Sequence, residues 1–245
     1  VDYDDLDSLI NAFSGVERVI FIPSYADTDQ RAEQGRNVAK AAEAARVRQL
    51  IFVGIMDTRA DSPLPFARAY GEIEDALSAS GAPAVILRTS MYTDNLEEQY
   101  PMWLKTGQLI TCAGDGKISY VSRDDIVASI VGVLSSSISD YAGKTFQLTG
   151  PEALSYDDVA VIINDVFNAS ISVQQVERED FADRLKEIWG VAYKGSEHVA
   201  RVTPLFQTVF KQGLMSPITD HVRQLSGRAP ESARSWLESH KAASE

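Results

Sequence analysis

Three short runs of unbroken apolar residues constrain this chain more than anything else in it: Val19-Ile20-Phe21-Ile22, Leu50-Ile51-Phe52-Val53 and Ala84-Val85-Ile86-Leu87. Each ends abruptly, at Pro23-Ser24, at Gly54 and at Arg88. Runs without alternation are strands buried on both faces, the condition of a parallel sheet covered by helices. They lie about thirty residues apart, the length of one βαβ unit, and the segments between them read as helices. Arg31 to Ala45 is Ala-rich with Val38, Ala42 and Ala45 on one face, and Phe66 to Ser80 places Tyr70, Ile73 and Leu77 on one stripe before a capping Gly81. Alternating strand and helix make an α/β, doubly wound parallel sheet. Ligands bind at the carboxyl ends of such strands, which puts the focus on Ala84 to Asn95.

Around this centre, Val1-Asp2-Tyr3 reads as the end of a strand, followed by Leu6, Leu9, Ile10 and Phe13 at helical spacing. Leu96 to Leu104, with Tyr100 and Trp103, forms a short amphipathic helix placed to act as a lid. Ser122 caps a helix through Leu134 whose Ile126, Val127, Ile130 and Val131 face inward. Lys144 to Thr149 alternates like a strand, Ser155 caps a helix from Tyr156 to Phe167, and Ile171 to Val176 is a further strand. Beyond Glu177 only helices are legible: Asp180 to Trp189, Ser196 to Lys211, Pro217 to Leu225 and Glu231 to His240. The chain divides into a sheet domain, 1–150, and a smaller, mainly helical C-terminal lobe, 151–245.

Composition narrows the functional classes. A net charge of −12 and a pI near 4.7 exclude a phosphate-backbone binder, so nucleic acid is not an expected partner. The single cysteine, Cys112, rules out an internal disulfide and a Cys-rich metal site, and reads as a small apolar filler ahead of the Ala113–Lys117 turn. No apolar run approaches the ~20 residues of a membrane span. A soluble, cytoplasmic protein without a membrane partner is expected. His198, His221 and His240 lack mutual i,i+4 spacing, so no metal site is expected, and no G-x-S-x-G elbow marks a hydrolase.

Several segments together are similar to the NmrA-like branch of the atypical short-chain dehydrogenase/reductases, the group of NAD(P)H quinone and triphenylmethane reductases. They are ARVRQLIFV (45–53), LRTSMYTDN (87–95), AGDGKISYVSRDDIVASIVGVL (113–134), FQLTGPEALSYDDVAVIIN (146–164) and PITDHVRQLSGRAPESARSWLESH (217–240). The resemblance implies a Rossmann-like domain, N-terminally incomplete, that holds NAD(P)H, and a lobe that supplies the substrate side. Family members begin with a strand, a Gly-rich turn and a helix that grips the pyrophosphate. This sequence shows no such turn, and the match begins at Asp2, which by position resembles the acidic residue beside the adenine. A preceding stretch of roughly 50 residues is the expectation, given about 30 per βαβ unit. Without it, the strand Val19 to Ile22 has an open edge, expected to be covered by that segment, by a second copy in a homodimer, or by rearranged helices.

By resemblance, Pro23, Ser24, Gly54 and Ile55 flank the cofactor ribose and nicotinamide, and Met56, Asp57, Met91 and Asn95 lie on the side of a small-molecule substrate. Tyr70 and Tyr92 are the candidate catalytic residues. Ordinary short-chain dehydrogenases pair a Ser with Tyr-x-x-x-Lys; here Glu74 stands four residues after Tyr70, and Gly54-Ile55 stands where the Ser is sought. That departure speaks against alcohol oxidation more than against hydride transfer to a quinone-like acceptor. Plainer readings stand beside each candidate: Tyr70 as sheet packing, Tyr92 and Asn95 as loop structure, Asp57 and Arg59 as a solvated loop. The resemblance implies an NAD(P)H-dependent reductase; a dinucleotide-sensing regulator, or a cofactor-independent enzyme using Tyr70, Tyr92 or Asp57 for proton transfer, are the alternatives.

Overall fold

The computed structural model describes residues 1–189 and 197–244, which fall into two compact units that interleave along the chain. The first unit comprises 1–89, 126–148 and 221–228; the second comprises 90–125, 149–220 and 229–245. In chain order the elements are α1 (Leu6–Phe13), β1 (Arg18–Phe21), α2 (Thr28–Ala44), β2 (Gln49–Ile55), α3 (Pro65–Ala79), β3 (Ala84–Thr89), α4 (Asn95–Thr106), β4 (Gln108–Thr111), α5 (Arg123–Ser135) and α6 (Ile138–Tyr141). They continue with β5 (Thr145–Leu148), α7 (Tyr156–Phe167), β6 (Ser172–Gln175), α8 (Arg178–Trp189), α9 (Glu197–Lys211), α10 (His221–Ser226) and α11 (Ala233–Ser244). Ser196 and the side chain of His198 lie outside the described residues.

The first unit is built on a parallel sheet of order β1-β2-β3-β5, with Val19 opposite Leu50 and Leu50 opposite Ala84. The three apolar runs are thus its consecutive strands. β2 and β3 sit inside the sheet and are buried along almost their whole length, which is why their sequences do not alternate. On one face α1, α2 and α3 close a core of Leu9, Phe21, Val38, Phe52, Ile73 and Leu77. Helices α2 and α3 approach so closely that a Cβ on Gly35 would lie 2.3 Å from Ile73 Cγ1, which only glycine avoids.

Strand β1 is the sheet edge. Arg18, on the face opposite the Phe21 core, donates from its guanidinium to the carbonyls of Val133 (3.4 Å), Leu134 (2.6 Å) and Ser136 (3.1 Å), a cation on the carboxyl end of α5. Ile20 shares that face and is 42% exposed, with Ile22 at 57%. On α5 itself the buried apolar side chains include Ile126, Ile130 and Val133, beside the buried Asp125 and Ser129, while Val127 and Val131 are more than half exposed, contrary to the inward placement expected from the sequence. A helix carrying β-branched apolar residues all round leaves its facing undetermined; here contact with the sheet selects one stripe. Among the described residues no strand pairs with the outer edge of β1. Val1-Asp2-Tyr3 is likewise not a strand end but a turn, with Asp4 N donating to Asp2 Oδ1 (2.9 Å) and the Tyr3 hydroxyl to Ile22 O (3.1 Å).

In the second unit β4 and β6 pair in parallel, and α7 begins with the Ser155–Asp158 capping box and ends at Asn168 in the left-handed region. Hydrogen bonds from the Ser155 backbone hold the Asp158 carboxyl below the usual carboxylate range. Leu96, Tyr100 and Trp103 of α4, the proposed lid, are buried. Gln207 ties α9 to both neighbours, accepting from Thr111 Oγ1 (2.6 Å) and donating to the Tyr156 hydroxyl (2.9 Å). A Cβ on Gly150, in the FQLTGPEALS stretch, would fall 2.0 Å from Tyr120 O, so the glycine there is steric.

The contrast between neighbouring β1 residues is measurable. Phe21→Ala, at a fully buried ring stacked on Phe52, is expected to lower stability by about 3–5 kcal/mol. Ile20→Ala, at a half-exposed position, is expected to cost less than about 1 kcal/mol. Urea unfolding of both variants checks the difference.

Candidate functional site

The carboxyl ends of β1, β2 and β3 are where a ligand would meet the first unit. β2 and β3 stay joined to their last residues: Thr89 Oγ1 donates to Gly54 O (2.9 Å) and Met56 N to Thr89 O (2.9 Å). Gly54 is buried, Ile55 half-buried and Met56 buried. Asp57 turns the chain with φ of 62°. Its side chain is only 2% exposed, with Oδ1 accepting from Arg59 Nε (2.6 Å) and Oδ2 from Ser62 Oγ (2.9 Å). The solvated-loop reading of Asp57 is thus corrected: the carboxylate is an internal post that shapes the approach to α3, with both oxygens engaged. Short polar residues look alike in sequence whether they face water or their own backbone, which is why the reading missed it.

At the end of β1, Pro23 and Ser24 are half-buried. Ser24 Oγ donates to Gln34 Oε1 (2.5 Å) and accepts from Ala26 N (3.1 Å), while Gln34 Nε2 donates to Asp4 Oδ1 (3.1 Å). Asp2 is exposed in the neighbouring turn. The first helical turn that follows is already occupied by a carboxylate, since Asp27 Oδ1 accepts from Gln30 N (3.0 Å).

Tyr70 is half-buried on α3, edge-on to Phe52 (5.9 Å between centroids) and to Phe66 (6.1 Å). Glu74, one turn later, is buried and grips Arg88 of β3 through two hydrogen bonds, Nε to Oε1 at 2.9 Å and Nη2 to Oε2 at 2.5 Å. This bidentate pair explains why a carboxylate stands where a lysine was sought, and it holds the Arg88 guanidinium above its usual range through the hydrogen bond to Glu74. The residue that sequence reasoning missed is Arg31. It is 9% exposed on the first turn of α2, yet its guanidinium lies 5.4 Å over the Tyr70 ring and 5.7 Å over Phe66. Nη2 donates to Ala26 O (2.9 Å), Nη1 to the Tyr70 oxygen (3.5 Å), and Nε meets no partner. In sequence Arg31 is one charged residue in an Ala-rich helix, with nothing to separate it from a solvent-facing one. Contacts therefore run from Ser24 through Ala26 and Arg31 to Tyr70 and Phe52, linking the β1, β2 and α3 candidates.

The remaining candidates belong to the second unit. Met91, Tyr92 and Asn95 are half-buried in the segment that leads into α4. It is pinned to Val121, whose N–H donates to Met91 O (3.0 Å) and whose carbonyl accepts from Thr93 N (3.0 Å), and the Arg123 guanidinium lies 5.9 Å over the Tyr92 ring. Separately, a cavity of about 380 Å³ lies at the carboxyl ends of β4 and β6, lined by residues that include Cys112, Gln175, Arg178, Thr208 and Lys211. Burial raises the Cys112 thiol above its ordinary range, which outweighs the opposite pull of Arg178 and Lys211 and suits the filler reading.

The Glu74–Arg88 pair carries a stability prediction. Glu74→Gln keeps the shape but leaves Arg88 without its counter-charge, and is expected to cost about 2 kcal/mol, in the range for hydrogen bonds to charged groups. Glu74→Lys, which restores the Tyr-x-x-x-Lys spacing, opposes Arg88 with a like charge and is expected to cost more. Thermal unfolding of the two variants checks the order.

The model of the NmrA-like family matches residues 1–225. Quinone oxidoreductase 2 of Escherichia coli is 33% identical over 187 residues, 76% of this chain and 64% of that protein, so the chain matches rather less than two thirds of that relative's length. The crystal structure of the NADPH-dependent quinone oxidoreductase from Escherichia coli complexed with NADPH superposes with a TM-score of 0.89 at 28% identity, covering 99% of this chain and 82% of that one. Triphenylmethane reductase from Citrobacter sp., complexed with NADP(H), gives a TM-score of 0.86 at 26% identity with the same coverage of both chains. With its parallel sheet, its strand-end candidates and a family match over most of its length, the chain belongs to the NmrA-like family.

Proposed function

We propose that this chain is the body of an NAD(P)H-dependent reductase that transfers hydride to a conjugated, quinone-like small molecule. The observation that carries the reading is the superposition, over 99% of the chain, on an NADPH-bound quinone oxidoreductase. The sheet unit is assigned to the cofactor and the second unit to acceptor recognition. A regulator without turnover is not favoured, because curated relatives that match are named as a quinone oxidoreductase and a dehydrogenase, while a solved NmrA protein, at 16% identity, supports the fold alone.

The residues present fit the nicotinamide half of such a cofactor better than its phosphates. Ser24 and Gly54-Ile55 stand at neighbouring strand ends, and Arg31, whose Nε has no partner, donates to Ala26 O just after Ser24. The N-terminus of α2 is unsuited to a pyrophosphate, because Asp27 occupies one of its N–H groups, that of Gln30, and Asp29 adds a second negative charge to the first turn. A bound reduced nicotinamide would supply the hydride. The protein's part is to exclude water with Phe52, Met56 and Phe66, and to orient the acceptor with Tyr70 from the sheet unit. Met91, Tyr92 and Asn95 follow β3 directly, the chain position from which side chains reach ligands in this fold class.

Three measurements test the reading. Oxidation of NADPH that depends on an added quinone or cationic triarylmethane dye is expected, and its absence at saturating cofactor overturns the assignment. Cofactor fluorescence titration of the 245-residue chain is expected to show weak affinity; micromolar binding would mean that another group in the chain takes the phosphates. Tyr92→Phe is expected to alter turnover with little effect on the unfolding midpoint, whereas loss of more than about 1 kcal/mol with turnover unchanged would make the hydroxyl structural.

A further inference from the structure

We infer that Arg31 and Tyr70 form an oxyanion-stabilising, proton-donating pair, in which a guanidinium from α2 takes the part that a lysine four residues after the tyrosine would otherwise play. This rests on the reductase reading and deepens it.

The charges on the elements around Tyr70 can be followed one by one. Glu74 is held by Arg88, Glu72 by Arg36 across the helix pair, and Asp57 by Arg59 and Ser62 in the loop that packs on α3 at Gly71. Asp27 caps α2. Among the described residues Arg31 is left as a cation nine-tenths buried with no carboxylate partner. Burying an unpaired charge is unfavourable unless something compensates it. The two aromatic rings and one carbonyl compensate in part, through cation–π attraction of about 0.5–2 kcal/mol. Of five guanidinium N–H donors, those at Nη2 and Nη1 reach Ala26 O and the Tyr70 oxygen, and the one at Nε reaches nothing. A purely structural arginine at this depth would be expected to find a carboxylate, as Arg88 does. Here the guanidinium reaches the oxygen of Tyr70, a residue that is itself only half-buried and packs edge-on to Phe52 of β2.

The step balances as follows. Hydride from the reduced nicotinamide adds at one end of the conjugated acceptor, and the displaced electron pair moves onto the acceptor's carbonyl oxygen. The Tyr70 O–H bond breaks as its proton bonds to that oxygen. The resulting phenolate keeps the hydrogen bond from Arg31 Nη1, and water returns a proton afterwards. Tyr70 touches the acceptor and is the catalytic residue; Arg31 acts through it and is the positioning residue.

A nitrophenol dye, whose absorbance separates phenol from phenolate, reads the pair with no cofactor present. The wild-type chain is expected to take up the phenolate preferentially, lowering the bound dye's ionisation midpoint by about one pH unit, a tenfold preference. Arg31→Gln should abolish the shift, Arg31→Lys should retain most of it, and Tyr70→Phe should lose it while removing a single hydroxyl. In steady state, Arg31→Gln and Tyr70→Phe should lower kcat with a quinone and leave the KM for NADPH unchanged. No uptake of the phenolate, or an undiminished shift in folded Arg31→Gln, overturns the proposal. Should Arg31→Gln not fold, Tyr70→Phe and Arg31→Lys decide it by the same criteria. A dye shift without quinone-dependent NADPH oxidation supports the pair and removes the reductase reading, whereas quinone turnover indifferent to both variants removes the pair and keeps that reading.

Discussion

Parallel strands inside a sheet have to be shielded on both faces, and most of this molecule follows from that requirement. β2 and β3 are apolar along most of their length because neither face of these stretches meets water. Covering them takes amphipathic helices on crossover connections, which brings α2 and α3 side by side over one face and directs every strand's carboxyl end the same way. Polar groups are then confined to the places where strands stop. The Glu74–Arg88 pair shows the compromise at its sharpest: Arg88, second to last in β3, needs a counter-charge as the strand leaves the core, and α3 supplies it from a buried position.

The same requirement decides what could be read from the sequence. Continuous apolar runs bounded by Gly, Pro or Arg mark strands directly, so β1, β2 and β3 are legible in the residues alone, whereas the edge position of β1 is not. Caps are equally legible when they depend on local chemistry, as at Ser155 with Asp158. The facing of α5 was not, because Ile and Val occur on all sides of it and only packing selects Ile126, Ile130 and Val133 for burial. The opening Val-Asp-Tyr is not extended because the Asp2 carboxylate accepts from Asp4 N and competes locally with extended structure.

For the candidate site, position along the strands was legible and partnership was not. Gly54, Ser24 and Tyr70 could be placed at strand ends or on a stripe from spacing. That Asp57 would be turned inward onto Arg59 and Ser62 depends on the local path of its loop, and that Glu74 would be consumed by Arg88 and Arg31 would lean over Tyr70 are relations between residues distant in the chain. No single-residue property carries them. The missing lysine after Tyr70 was a correct observation with an incomplete consequence, since a cation can reach a phenol from a neighbouring helix as well as from its own.

That reach depends on a residue that touches neither group. Gly35 lies one turn after Arg31 on α2, and Ile73 lies one turn after Tyr70 on α3, so the close contact between Gly35 and the Ile73 side chain sits one turn along from the guanidinium and the phenol. With a hydrogen in place of a side chain, the helices close until Ile73 fills the gap. The glycine works as a spacer of zero thickness: it sets the separation of two polar groups through the mechanics of helix packing, and any larger residue there would act as a shim that drives them apart.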